Sequence, residues 1–385
     1  MRQIFTALVM TMLFYACQEK QSEHVNYTHH LTATDSISFK NPPYSYYMSW
    51  YNQLAEDTLI RKGVGENNTL ELIDLKNQKF IDIYKFKKVS DLGVGNINGF
   101  KYINQDSVFL FNQTQLIITN IDNDTINNVY DIKGDYDGLW YPLSLSNGSD
   151  IVYRDKKMYF GKNDFEYTNT NAYYDSPLLM ELDLESNTTR QFKNIHFPEE
   201  YYDKCWQDNL VNFSISYNPK TEKFIFNFPI SHQLHVFDPK NNELTKHHIQ
   251  SKFVNADIES MKCDLNDADP KKKGFYLFKT SHYYKNIYDP YRDVYYIIVK
   301  HGVSDEEAVK LADNFYGTHG VPFSIMVVDK NFNVIGETTF KKKTYTTGDF
   351  FVGPKGLYLQ KNNTLNPDFD ENIIKYDILT PTEIK

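Results

Sequence analysis

Cysteine is almost missing from this chain, with three in 385 residues. No CxxC pair occurs, so neither a zinc ribbon nor a thioredoxin-type redox site is supported. Tryptophan is as scarce, with three residues (Trp50, Trp140 and Trp206). Basic residues are in deficit, 41 Lys and Arg against 50 Asp and Glu, and the net charge of −9 excludes general nucleic-acid binding, which needs a basic footprint. The Gly-x-Ser-x-Gly elbow, the P-loop and the HExxH helix are all absent, and with them the recognisable nucleophile, nucleotide and zincin signatures. No apolar run reaches the ~20 residues that a membrane-spanning helix requires.

One shorter apolar run is present, at the start. Arg2 supplies a positive charge, Ile4 to Tyr15 are uncharged and largely apolar, and small Ala16 precedes Cys17. This pattern reads as a lipoprotein export signal over 1–16, too short to span a bilayer. Cys17 would accept a diacylglyceryl group on its thiol and, after cleavage, a further acyl chain such as palmitate on its amine. Two or three chains bury enough CH₂ groups, at ~0.8 kcal/mol each, for stable anchoring. Residues 17–26 then form a polar lipidated tether, and 27–385 a single domain outside the cytoplasm. Tyr15 departs from the small residue expected before Ala16, and the competing reading is an ordinary secretory signal with an incidental cysteine. Gln18-Glu19-Lys20-Gln21-Ser22-Glu23 partly resembles an acidic surface-export tag, so the expected location is the cell envelope, anchored at the outer membrane and facing outward or the periplasm. Cys205 and Cys263 remain, free to pair in an oxidising envelope or to stay as two buried thiols.

Aromatics are abundant instead, with 30 Tyr and 27 Phe, a content that suits strands and flat packing surfaces. A recurring phrase sets the architecture: an apolar strand, an Asp, a polar turn, a second strand. It occurs at Leu70-Glu71-Leu72-Ile73-Asp74, at Leu116 to Asp122, at Leu179 to Asp183, at Leu234 to Asp238, at Ile325 to Asp329 and at Ile373 to Asp377. Asp at the start of a tight turn bonds the backbone two residues on, which fits a hairpin. Further strand-like runs precede each copy, so four strands per unit and six units predict an all-β, six-bladed β-propeller, with seven blades as the alternative. Ser36 to Phe39 would complete the final blade. The longest interval, Asp238 to Asp329, contains a predicted helical insertion near 304–317, with Ser304 as N-cap, Glu307 at N3, and Ala308, Leu311, Ala312 and Phe315 as its apolar stripe. Phe275 to Phe278 reads as a strand leading to the turn at Asp289-Pro290-Tyr291-Arg292-Asp293.

The cysteine signal, these repeats, and phrases such as Tyr217-Asn218-Pro219-Lys220-Thr221 and Asn366-Pro367-Asp368-Phe369-Asp370-Glu371 resemble a Bacteroidetes family of TolB-like, six-bladed-propeller lipoproteins of unknown function. The resemblance covers about Tyr27 to Lys385. It implies fold and location, and brings no catalytic residues with it.

Asp135-Tyr136-Asp137-Gly138-Leu139-Trp140-Tyr141-Pro142 is the densest candidate binding loop. Trp140 and Tyr141 could stack on a sugar ring while Asp135 and Asp137 bond its hydroxyls; packing of Trp140 between blades is the competing reading. Trp50 and Trp206 carry the same ambiguity. Asn366 to Asn372 has carboxylates at alternate positions, as calcium favours, but lacks the rest of an EF-hand loop and reads more simply as a solvated hairpin. His29-His30, His247-His248, and His232 with His235 point to opposite faces of their strands and make poor metal sites; His282, His301 and His319 share one unit. No cofactor and no metal is expected. Lys271-Lys272-Lys273 and Lys341-Lys342-Lys343 read as solvated surface. Two functions fit: a non-enzymatic envelope module binding a protein or glycan, and a propeller enzyme of the lyase or metal-dependent lactonase kind. Convergent carboxylates or histidines around the central channel favour the second, a plugged apolar channel the first.

Overall fold

A computed structural model describes residues 27–41, 49–63, 68–87, 93–112, 114–123, 125–132, 141–142, 148–163, 169–263, 269–314 and 320–384. The export signal, Cys17 and the tether lie outside them.

Four antiparallel sheets follow one another along the chain. The first joins β2 (Ser49–Ala55), β3 (Thr58–Gly63), β4 (Thr69–Asp74) and β5 (Lys79–Lys85). The second joins β6 (Gly99–Asn104), β7 (Ser107–Phe111), β8 (Gln115–Asn120) and β9 (Thr125–Asp131). In the third, β10 (Tyr141–Pro142) and β11 (Val152–Arg154) both pair with β12 (Lys157–Asn163), which continues to β13 (Leu179–Asp183) and β14 (Thr188–Gln191). The fourth joins β15 (Ser214–Asn218), β16 (Lys223–Asn227), β17 (Gln233–Asp238) and β18 (Glu243–His248). The remaining strands form one eight-stranded sheet, in the order β19 (His282–Asp289), β20 (Val294–Lys300), β21 (Phe323–Asp329), β22 (Val334–Phe340), β1 (His29–Lys40), β25 (Ile373–Glu383), β24 (Gly356–Gln360), β23 (Phe350–Gly353). Its end strands β19 and β23 approach each other, so the sheet curls almost closed.

This corrects the expectation of six separate blades. Four blades stand apart, and the rest of the β-structure is fused. The cause is β1, which runs antiparallel along β25 from His29 opposite Glu383 to Lys40 opposite Ile373 and also touches β22 in parallel, His29 opposite Gly336. A side chain at Gly336 would place its Cβ 2.2 Å from the His29 carbonyl oxygen, so glycine permits this junction.

The repeated turn phrase has a physical role. Asp74, Asp183, Asp238 and Asp329 end the third strand of their units, and each accepts backbone N–H groups from the following turn, as at Lys240 and Asn241 for Asp238. In the second blade the same position is Asn120, which accepts from Asp122 and Asn123, so Asp122 is not the repeat residue. Asp377 heads no turn at all, because β25 runs straight through it and β1 supplies the next strand.

The core is a series of wedges between neighbouring sheets: Tyr51, Ile60 and Leu72 against Phe100 and Leu110; Phe109 and Phe111 against Phe160 and Met180; Ile225 and Val236 against Tyr295 and Ile297. The largest wedge is aromatic. Phe192, Phe197, Tyr201, Phe213, Phe228 and fully buried Trp206 pack between the third and fourth blades, which settles Trp206 as a core residue. Cys205 and Cys263 form a disulfide, not two free thiols.

Among the described residues, three α-helices interrupt the strands: α1 (Asn171–Tyr174), α2 (Pro270–Lys279) and α3 (Asp305–Asn314). The predicted helix is α3; Ser304 Oγ accepts from Glu307 N at 3.4 Å, and Ala308, Leu311 and Ala312 are buried. Phe275 to Phe278, expected as a strand, belongs to α2. Asp269 accepts from Lys271 N at 2.9 Å and Pro270 occupies the first turn, a helix start stronger than the local aromatic content. Strand β19 takes the place before the Asp289 turn. The two longer helices pack on each other, with Gly274 against Ala312. Among the described residues, no helix is long and apolar enough to cross a membrane.

Candidate functional site

The first strands of the sheets stand side by side around a central axis: β23 beside β2, β2 beside β6, β15 beside β19. Between the third and fourth blades the contact is a parallel bridge from Ser149 to Ile215. Alternate side chains of such strands point inward, so the sequence of each first strand writes part of the channel wall.

A cavity of about 460 Å³ occupies the half of this channel nearest the turns that lead from first to second strands. Its wall includes Tyr51 and Asn52 from β2, Lys101 from β6, Asp150 and Tyr153 from the third blade, Tyr217 from β15, Asn286 from β19 and Phe350 from β23. Pro219, Pro290 and Tyr291 form the rim, where Tyr291 is 54% exposed.

The rim turns are held firmly. Buried Asp289 accepts from Tyr291 N and Arg292 N through one oxygen, and from Arg292 Nη1 at 3.0 Å and Tyr296 Oη at 2.8 Å through the other. Arg292 also donates to the Pro354 carbonyl at 2.8 Å, tying the Pro290 turn to the turn after β23. Across the mouth, Asn218 accepts from Lys220 N and Thr221 N and donates to Tyr295 Oη at 2.8 Å, fixing the Pro219 turn.

Asp150 is placed by β15. Its N–H donates to the Ile215 carbonyl at 3.0 Å, and its Oδ2 accepts from Tyr217 N at 2.9 Å. Burial raises its carboxyl above the ordinary aspartate range, opposed by the Tyr217 N–H and by Lys101. Burial likewise depresses the Lys101 amine, opposed by Asp150. Deeper in the channel, the Lys285 stem lies over Gly148, whose φ of +87° and missing side chain leave the room; a Cβ there would meet Lys285 Cδ at 2.7 Å. Burial lowers Lys285 to about 8. Asn286 is fully buried, donates to the Ile225 carbonyl at 3.0 Å, and has no hydrogen-bond partner at Oδ1.

Of the sequence candidates, Asp135, Asp137 and Trp140 lie outside the described residues, as does the side chain of Trp50. Tyr141 contributes backbone to β10, opposite Asn163, and its side chain lies outside the described set. The Asn366 to Asn372 stretch is a capped turn, with Asp370 Oδ1 accepting from Asn372 N and Nδ2. His282 Nδ1 donates to the Thr280 carbonyl at 2.9 Å, and His301 stacks on Phe253 with centroids 4.0 Å apart. Among the described residues no group of three or more His, Cys, Asp and Glu is arranged to hold a metal ion.

Sequence reasoning missed Tyr51, Lys101, Asp150, Asn286 and Tyr291. A signal existed in two strands. Lys101 interrupts Gly99-Phe100-Lys101-Tyr102, and Lys285-Asn286 interrupt Tyr283-Tyr284 and Ile287-Tyr288, polar residues in the middle of strands otherwise apolar or aromatic.

Residues 28–339 match the model of the domain of unknown function DUF4221. A DUF4221 member from Bacteroides vulgatus ATCC 8482 has a similar structure, with a TM-score of 0.79, 20% identity, and 93% of this chain and 99% of that chain covered. A candidate exported protein from Bacteroides fragilis NCTC 9343 shares the fold with a TM-score of 0.55 and 11% identity, over 93% of this chain and 96% of that one. No curated protein sequence matches.

Proposed function

This chain belongs to the DUF4221 family, and we propose that it is a cell-envelope lipoprotein, anchored through Cys17, that binds a carbohydrate in its central cavity. The anchoring rests on the Arg2 to Cys17 pattern and accords with the exported relative of similar fold. The TolB-like resemblance belongs to the same reading.

The observation that carries the binding function is the composition of the cavity wall. Tyr153, Tyr217 and Tyr291 offer flat apolar faces, while Asp150 and Lys101 offer hydrogen-bonding groups between them. A sugar presents an apolar ring face edged by hydroxyls, and this mixture matches it. The cavity volume suits one or two rings. The test is titration of the mature protein with a panel of soluble neutral and acidic oligosaccharides, comparing wild type with Tyr291→Ala and Asp150→Asn. Saturable binding that both substitutions weaken supports the reading; binding to no sugar, or binding indifferent to both, removes it.

A second reading, a propeller enzyme such as a lyase, draws on one observation: a carboxyl pushed up and an amine pushed down in the same cavity. Groups tuned in opposite directions suit proton transfer. Turnover of a bound sugar, abolished by Asp150→Asn with binding retained, would favour this reading over simple binding.

A further inference from the structure

We propose that the cavity mouth faces the membrane carrying the Cys17 anchor, so that the protein takes its ligand from the membrane side. The proposal rests on the lipoprotein reading and adds an orientation to it.

Strand register fixes where the tether meets the domain. Asp289, which ends β19 at the cavity rim, lies opposite Val294; Val294 lies opposite Asp329, and the turn after Asp329 begins β22 at Val334. These residues therefore stand at one level, the level of the mouth. Thr28 N donates to the Ile335 carbonyl at 2.9 Å, and His29 pairs with Gly336. Because β1 runs parallel to β22, it leads away from the mouth level, and the residues before it lie toward that level. The Tyr27 side chain itself reaches along β22, where its hydroxyl donates to Glu337 Oε2 at 3.1 Å and Lys252 Nζ lies 3.8 Å from its ring centroid. The Thr28 carbonyl accepts from Ile384 N at 2.8 Å, which brings the end of β25 to the same edge.

Length then favours one orientation. The ten residues from Cys17 to Asn26 span at most ~35 Å when fully extended. The channel wall is about 26 Å tall along the eight residues of β19, at ~3.3 Å per residue. A tether leaving at the mouth edge would use most of its reach in turning back along the wall to set the opposite face on the bilayer. The mouth face needs no such detour. A ligand displayed on that membrane, such as the sugar headgroup of a glycolipid, lies within reach of the rim; a free glycan must first enter the gap.

The test places one fluorophore on each face of the mature acylated protein, bound to vesicles of phosphatidylethanolamine and phosphatidylglycerol. Lys355, exposed in the turn after β23, reports on the mouth face; exposed Lys341, just beyond β22, reports on the other. Lys355→Cys and Lys341→Cys each add a single free thiol, since Cys205 and Cys263 are paired and Cys17 is acylated. Quenching by a lipid-borne quencher should be several-fold stronger from position 355. Equal or reversed quenching in protein that remains on the vesicles overturns the orientation while leaving the lipoprotein reading intact. Absence of an acyl group on Cys17 by intact mass overturns the lipoprotein reading itself. Adding a monoglycosyl diacylglycerol to the same vesicles, against the free methyl glycoside, separates the two ligand sources: a fluorescence response to the lipid form at equal sugar concentration supports the membrane-side site, and a response to the free glycoside alone contradicts it.

Discussion

Arg61 and Asp349 meet where no water reaches. The guanidinium lies 3.5 Å from Asp349 and 3.4 Å from Glu71, all three fully buried, and Asp349 also accepts from Ser49 N, Asn52 Nδ2 and Tyr376 Oη. Removing one charge strands the others, so Arg61→Ala should cost about 3–5 kcal/mol in urea denaturation. The Lys300 amine is lowered to about 7 by burial beside Tyr284, Phe323 and Thr347. Its folded value lies below its unfolded one, so its contribution is fully present above the unfolded value near 10.5 and is lost as pH falls toward 7. Lys300→Met should therefore be more stable than wild type at pH 7, by on the order of 1–3 kcal/mol, and the gain should shrink as pH approaches 10. Denaturation curves at the two pH values check the sign. Nothing in the sequence marks these residues. The Arg61 cluster depends on contacts over some 300 residues of chain, as between Ser49 and Asp349, which no local pattern encodes.

The strands were largely legible because an Asp-capped turn leaves a local signature. Asp74, Asp183, Asp238 and Asp329 each mark the end of a third strand. The fusion at β1 was not legible, because a parallel contact between His29 and Gly336 depends on shape far from both in sequence. Gly336→Ala should strike at that junction, where the new methyl meets backbone at 2.2 Å, and should lower stability by roughly 1–3 kcal/mol. An Ala at Gly348, where the nearest atom is 3.7 Å away, is the control expected to cost far less. The disulfide constrains a different stretch, the segment that holds β15 to β18. It closes a separation of 58 residues, which the chain-entropy model values at about 4 kcal/mol. Cys205→Ser with Cys263→Ser should lose stability of that order, and reductant should have no further effect on the variant.

At the scale of the whole molecule, five sheets enclose one axis, and the same rim that holds the cavity mouth receives the start of β1. Strand ends that look like ordinary turns in sequence, Asn218-Pro219 and Asp289-Pro290-Tyr291, become the lip of a site only when the ring is assembled. The aromatic loop at Asp135 to Pro142 stands out in the sequence because its residues are adjacent; the cavity wall is spread over 302 positions, from Tyr51 to Val352, and has no such density. The central prediction is that this cavity holds a sugar. Isothermal titration of the mature protein with the oligosaccharide panel tests it most directly. Saturable binding by at least one sugar class is expected, with Tyr291→Ala weakening it about tenfold through lost stacking, at ~1.4 kcal/mol per factor of ten. No heat from any member of the panel, or binding that survives Tyr291→Ala and Asp150→Asn unchanged, would contradict it.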